Sequence, residues 1–337
     1  MGVNMQKKAN NFMKNYGSNG QLVLDANSAA GGLAFLEGQL EKIDPKLREP
    51  LKGTWWPRDI VAKTGGGWVE YTSTYDVSYA TTGGNEDGII NGLANNIPVM
   101  QVDISKDLRK VFTWANALRT SYVDQQKFQK LAFDIENQLN KGLKLAYDKT
   151  LDKNVYRGLT DETYGLINNP DVTAVMASTG ASSNTEWSAK TPDEILVDVN
   201  KIMTDTWKAS GYDLSGMANH ILVPPAQYAY MVSQKISEAG NISVLTYLLE
   251  NNIGKNQGVD LFIGPLPMLE SAGTGGTDRM IGYANDEDRI RLSITVPFSR
   301  AMTSIDGTNM CYVTNYVSQF GQVEFLYLQP IEYMDGI

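Results

Sequence analysis

Residues capable of chemistry are few in this sequence, and their types limit what it could be. There is one histidine, His220, and one cysteine, Cys311. Any Ser-His-Asp or Cys-His nucleophile would have to use His220. It opens an apolar run, His220 to Val223, and a structural histidine is the simpler reading. A zinc site of the usual kind needs several His or Cys, and two such residues fall short. No Walker A sequence is present, and Gly273-Thr274-Gly275-Gly276 reads as a surface turn, not a phosphate cradle. Carboxylates could still do acid–base work. Asp286-Glu287-Asp288 and Glu86-Asp87 cluster, but they sit beside Gly or Asn and read as solvated turn acids. No EF-hand spacing accompanies them. The expectation is therefore no catalytic residue, no cofactor and no metal site.

Bulk composition agrees with a packed protein that is not built to grip nucleic acid. The chain has 337 residues, 42% hydrophobic and 20% charged, with a net charge of −9. That is ordinary globular composition, with length for two domains or one with long extensions. An acidic balance disfavours a basic phosphate-binding face. A lone cysteine leaves no intrachain disulfide, and a buried thiol is expected. The opening residues do not read as a signal peptide, and no apolar run reaches membrane-spanning length.

The elements that would position these residues alternate in a definite order. Residues 1–26 are polar and free of acids until Asp25, which suggests an arm. Leu33, Leu36, Leu40 and Ile43 predict a helix over Asn27–Asp44, stopped by Pro45. After Gly65-Gly66-Gly67, alternation of Val69, Tyr71, Ser73, Tyr75, Val77 and Tyr79 predicts a strand. A Gly/Asn-rich tip, Thr81 to Asn96, precedes a return through Ile97–Ile104. Such a hairpin is marginal alone and needs a surface to lie on. Its aromatic residues Trp68, Tyr71, Tyr75 and Tyr79 suit either a half-buried face or an inter-subunit contact. Base stacking is disfavoured, because residues 64–105 contain no Lys or Arg.

Leu108–Leu118 reads as a separate strand. Ser121 with Asp124 resembles a capping box, and Phe128, Leu131, Ile135, Leu139, Leu143 and Ala146 follow at spacings of three and four. This predicts one helix of about 28 residues, roughly 40 Å long. A glycine- and asparagine-rich turn follows. Thr191-Pro192-Asp193-Glu194 carries a second start signal, with Ile195, Val199, Ile202 and Thr206 or Trp207 inward. Helices over Pro225–Ile236 and Val244–Asn251 then mix with strands at His220–Val223, Asp260–Ile263, Arg279–Tyr283 and Arg289–Thr295. Met310–Met334 is almost all strand. The class is α+β.

This order of parts resembles the Hong Kong 97 fold of tailed-phage major capsid proteins, which encapsulins share. Local sequence carries the likeness. Gly158-Leu159 through Gly165-Leu166-Ile167-Asn168-Asn169-Pro170 is similar to the turn after that fold's spine helix. Thr191–Ile195 with Asp198-Val199-Asn200 resembles the start of a lobe helix, and Leu222-Val223-Pro224-Pro225 with Tyr228 the step after it. Asp278-Arg279-Met280 with Tyr283, and the ending Pro330–Tyr333 with Asp335-Gly336-Ile337, look like one capsid family formerly annotated only as a domain of unknown function. The likeness covers nearly the whole chain.

The resemblance implies an N-terminal arm over residues 1–57 and an extended hairpin, the E-loop, over 58–105. It places a first part of a P domain at 106–175, with Phe128, Leu131, Ile135, Leu139 and Leu143 as the core face of a long spine helix. An A domain follows at 176–295, and closing P-domain strands at 296–337. Trp68, Tyr71, Tyr75 and Tyr79 become inter-subunit contacts. Function would be structural: hexamers and pentamers closing an icosahedral shell around loosely contacted double-stranded DNA. A portal would replace one pentamer, and separate scaffolding or decoration proteins could take part. Assembly would occur in the host cytoplasm, with the virion capsid as destination. Two departures stand out. The excursion from Thr64 to Ser105 has no lysine and Lys63 lies only at its base, so no covalent E-loop cross-link is expected. The region before the hairpin is short, so no long fused scaffolding segment is expected. The rival readings are an encapsulin-like compartment with protein cargo, a soluble α+β enzyme using carboxylates, and a tail or decoration component. The single histidine and the long hairpin disfavour the enzyme.

Overall fold

A computed structural model describes residues 53–82, 97–130, 135–236 and 242–337, without the side chains of 128–130 and 135. The predicted helix over Asn27–Asp44, the hairpin tip at 83–96 and Leu131 lie outside the described residues. So do the side chains of Phe128 and Ile135.

The elements are α1 (Trp56–Asp59), β1 (Val61–Thr64), β2 (Tyr71–Thr82), β3 (Val99–Ser121), α2 (Tyr122–Lys130) and α3 (Ile135–Arg157). Next come β4 (Ala174–Met176), α4 (Pro192–Ala209), β5 (His220–Val223), α5 (Pro225–Ser233), α6 (Val244–Glu250), α7 (Ile253–Asn256) and β6 (Phe262–Pro265). The chain closes with β7 (Arg279–Tyr283), β8 (Ile290–Ile294), β9 (Val296–Asp306), β10 (Cys311–Gly321), β11 (Val323–Phe325) and β12 (Ile331–Asp335). The strands form three sheets, ordered β1-β8-β11, β2-β3-β10-β9 and β4-β12-β7-β5-β6.

The five-stranded sheet is a wall between two apolar cores. Along each central strand successive residues face opposite sides. Leu222, Ile281, Tyr283, Ile331 and Tyr333 join the core that also holds Tyr147, Leu151 and Val155 of α3. Ile221, Val223, Met280 and Met334 join the other, with Ile195, Val199 and Ile202 of α4. The last strand, β12, pairs with both β7 and β4. A boundary at 295/296 would therefore cut through this sheet.

Helix α4 starts as its sequence dictates. The Glu194 N–H donates to Thr191 Oγ1 at 3.4 Å and the Thr191 N–H donates to Glu194 Oε2 at 2.9 Å, with Pro192 in the first turn. Its buried face carries a charge as well. Asp198 is wholly buried and accepts from Trp187 Nε1 at 3.0 Å, from the Ser178 N–H at 3.1 Å and from the equally buried Lys190 ammonium.

Three expectations need correction. First, β3 is one 23-residue strand that joins the predicted return strand to the predicted Leu108–Leu118 strand. It carries the chain from the hairpin into the body, across a boundary drawn at 105/106. Second, Ser121 belongs to a strand, and the helix starts directly after it at Tyr122. Ser121 ends β3 opposite Cys311, and the Tyr122 N–H donates to the Met310 carbonyl at 3.0 Å. Third, the spine helix does not stop near Ala146, which is exposed. It runs to Arg157, and its inward stripe is Leu143, Tyr147, Leu151 and Val155, all buried, with Leu139 half-buried. Asp148, Lys149, Asp152 and Lys153 on its other faces disguise that stripe in the sequence.

The turn after α3 requires glycine twice. Gly158 has φ +78°, and a Cβ there would meet the Thr163 carbonyl oxygen at 2.0 Å. At Gly165 a Cβ would meet the Tyr156 carbonyl carbon at 2.2 Å, because the chain doubles back against the helix end. Asn168 holds the reversal, accepting from the Gly165 N–H at 2.8 Å and donating to the Arg157 carbonyl at 3.0 Å.

Candidate functional site

The projecting ribbon of β2 and β3 is amphipathic across its width. Residues opposite each other on an antiparallel ladder share a face. The register pairs Tyr71 with Lys110, Ser73 with Leu108, Tyr75 with Lys106, Val77 with Ile104, Tyr79 with Val102 and Thr81 with Met100. One face therefore gathers Tyr71, Tyr75, Val77, Tyr79, Met100, Val102, Ile104 and Leu108. All are exposed, Tyr79 at 69%. The opposite face carries Thr72, Thr74, Asp76, Ser78, Asp103, Ser105, Asp107 and Arg109. Trp68, just before β2, is exposed as well.

The polar face is the one tied to the subunit's own body. Thr72 Oγ1 donates to Glu324 Oε1 at 2.7 Å, and Arg109 Nη2 donates to the Phe325 carbonyl at 3.0 Å. The apolar face points away from both anchors. Glu324 is almost fully buried, yet burial does not neutralise it. Hydrogen bonds from Arg291 at 2.7 Å, Thr72 and Ser293 outweigh the desolvation and hold its carboxyl below the usual range. Gln319 fixes the approach to β2 by bonding both backbone groups of Val69.

The ladder continues past Ser105 to Lys110, so Lys106, Arg109 and Lys110 belong to the hairpin. Lys106 and Lys110 lie on its apolar face, and the Lys106 ammonium sits 5.7 Å from the Tyr75 ring centre. The expectation of a hairpin without basic residues is corrected accordingly. The premise offered against a lysine cross-link goes with it.

In the body of the subunit, Asp59 joins α1 to three other elements. It accepts from Arg58 Nε at 2.5 Å and Tyr156 Oη at 2.5 Å, and lies 3.2 Å from His220 Nε2. The Tyr283 hydroxyl donates to its carbonyl oxygen. Burial raises the Asp59 carboxyl, but hydrogen bonds from His220, Arg58 and Tyr156 bring it below its ordinary value. His220 itself is buried, stacked on Phe262 and tilted against Tyr283. It ties the central sheet to α1 directly, and to Tyr156 of the spine helix only through Asp59. Cys311 lies in a different sheet, buried, with Arg119 Nε donating to its sulfur at 3.1 Å. Asp286, Glu287 and Asp288 are exposed in a turn where Glu287 pairs with Lys63 at 3.2 Å. Among the described residues no group of acids, His and Cys is placed to hold a metal, and no helix is long and apolar enough to cross a membrane.

The geometry is thus that of an interaction surface. Over residues 86–337 the sequence matches the family model described as major capsid protein. The chain belongs to that family. No curated protein matches it. Its fold is shared with the capsid of Myoviridae phage XM1, at a TM-score of 0.73 and 16% identity over 89% of this chain and 98% of that one. The capsid of a native GTA particle aligns at 0.59 and 13% identity, covering 93% and 99%. A Microbacterium phage Oxtober96 structure aligns at 0.59 and 12% identity, covering 92% and 99%. This is the Hong Kong 97-like α+β fold, and membership in the family makes the chain a structural shell subunit of a virion, not an enzyme.

The sequence reading did not single out Gln319, Glu324, Arg109, Arg58 or Asp59. Each acts through partners distant in sequence, and no local pattern marks them.

Proposed function

We propose that this major capsid protein assembles into hexamers and pentamers that close an icosahedral shell around double-stranded DNA, with a portal at one vertex and assembly in the host cytoplasm. The observation that carries the assembly reading is the ribbon's apolar face. Eight large side chains face away from the subunit, and full burial of each is worth roughly 1.5–3 kcal/mol. A neighbouring copy is the partner that a self-assembling shell supplies. Trp68, Tyr71, Tyr75 and Tyr79 are the proposed anchors, and Leu139 and Leu143 hold the spine helix that supports them. The arm, hairpin, P-domain and A-domain division serves this reading, with β12 counted in the A-domain sheet.

The acidic chain supports loose contact with the contents, because each neutralised phosphate would add affinity. Nuclease-protected nucleic acid in particles purified from infected or expressing cells tests this. Particles containing double-stranded DNA are expected. Particles filled with one protein species and free of DNA would overturn it in favour of an encapsulin-like compartment.

A further inference from the structure

Beside the last strand lies an open groove of about 480 Å³, lined by Asp171 and Thr173, by Asp205 and Lys208 near the end of α4, and by Glu332 of β12. Glu332 is only 6% exposed, and its Oε2 atom has no hydrogen-bond partner. A buried carboxylate oxygen left in this way is costly unless a donor reaches it. Lys201 is close enough to favour the charge, and Lys208 lines the groove, but neither bonds to Oε2. Three carboxylates, when ionised, outnumber Lys208 and Lys201 and leave the groove net negative. Burial first, and the Asp205 charge second, push the Glu332 carboxyl up to about 7 against the pull of Lys201. At neutral pH a proton therefore partly occupies the place of a cation. The three carboxylates are not grouped as metal ligands. The fitting ligand is a cation whose N–H donors bond oxygens singly.

We propose that the groove around Glu332, Asp205 and Asp171 is a receptor for a protonated amine or guanidinium group, which donates to the Glu332 carboxylate. Two sources share that chemistry: a basic side chain of a second copy and a free polyamine. The inference does not depend on shell formation, since a single chain carries the groove complete.

Calorimetric titration of the unassembled full chain with arginine amide and with spermidine at pH 7 tests it. The native chain is expected to bind both, releasing protons as Glu332 ionises. Glu332→Gln should weaken binding at least tenfold and abolish proton release. Asp205→Asn, a half-buried change that spares the core, should weaken binding several-fold. Equal binding by the native chain and both variants, or no binding by the native chain, would overturn the proposal. Repeating the spermidine titration on assembled shells separates the sources. Binding that persists identifies a free polyamine, and binding lost on assembly identifies a side chain from a second copy.

Discussion

The side-chain amide of Gln319 closes on both backbone groups of Val69, accepting from its N–H at 3.1 Å and donating to its carbonyl at 2.6 Å. A side chain from β10 thus does what a ladder neighbour would do, 250 residues away. It fixes where the hairpin leaves the body. Gln319→Leu removes both bonds at similar volume and leaves the Val69 groups and Thr295 Oγ1 without this partner. A loss of about 2 kcal/mol is expected, since each net bond is worth roughly 1 kcal/mol. Hydrogen exchange should quicken over residues 68–72 and stay unchanged in α4.

Asp59 and Glu324 make folding sensitive to acid. Both carboxyls sit below their ordinary values in the folded chain. Their contribution is therefore complete above the unfolded values, near 4, and is lost as pH falls through the folded ones. Asp59→Asn and Glu324→Gln should each cost about 3 kcal/mol at pH 7, because Arg58 or Arg291 loses its charge partner. The deficit should shrink as pH falls below the unfolded values, near 4, because the native sequence's unfolded carboxyls then take up protons that the folded ones resist. Denaturant melts at pH 7 and pH 3 check this, and a pH-independent deficit would contradict it.

The pair Lys190–Asp198 is wholly buried, so breaking it from either side leaves an uncompensated charge. Lys190→Met and Asp198→Asn should each destabilise by about 3–5 kcal/mol. The double variant should recover part of that loss. A thermal-melt double-mutant cycle measures the coupling, and simple additivity would contradict it.

Tyr75→Glu and Val77→Asp change only the outward face of the ribbon. Both residues are exposed in the single subunit. Chain stability should move by less than about 0.5 kcal/mol, as for other surface changes. Shell yield, followed by light scattering, should collapse. Asp103→Asn, on the opposite face, should leave yield unchanged.

Legibility of the sequence depended on how local each cause is. The α4 start was readable because Thr191, Pro192 and Glu194 act within four residues. Strand β7, Arg279–Tyr283, was readable because it is short and free of charge after Arg279. Strand β3 looked like two pieces because Lys106, Asp107, Arg109 and Lys110 interrupt its apolar rhythm where it passes from ribbon to body. Strand β9 was missed because Pro297 and Arg300 weaken its pattern and most of it is exposed, so no burial alternation marks it. The ribbon aromatics were visible from their period of two. That they share a face with Met100, Val102, Ile104 and Leu108 needed the register. The Asp59 and Glu324 sites join residues about 30 to 250 positions apart, a relation no spacing rule contains.

Electron microscopy of the purified full chain, checked by light scattering, tests the central claim most directly. Closed round shells, or tubes and sheets of hexamers, are the predicted result. A monodisperse monomer or small dimer, persisting at high concentration and with scaffolding protein added, would contradict it.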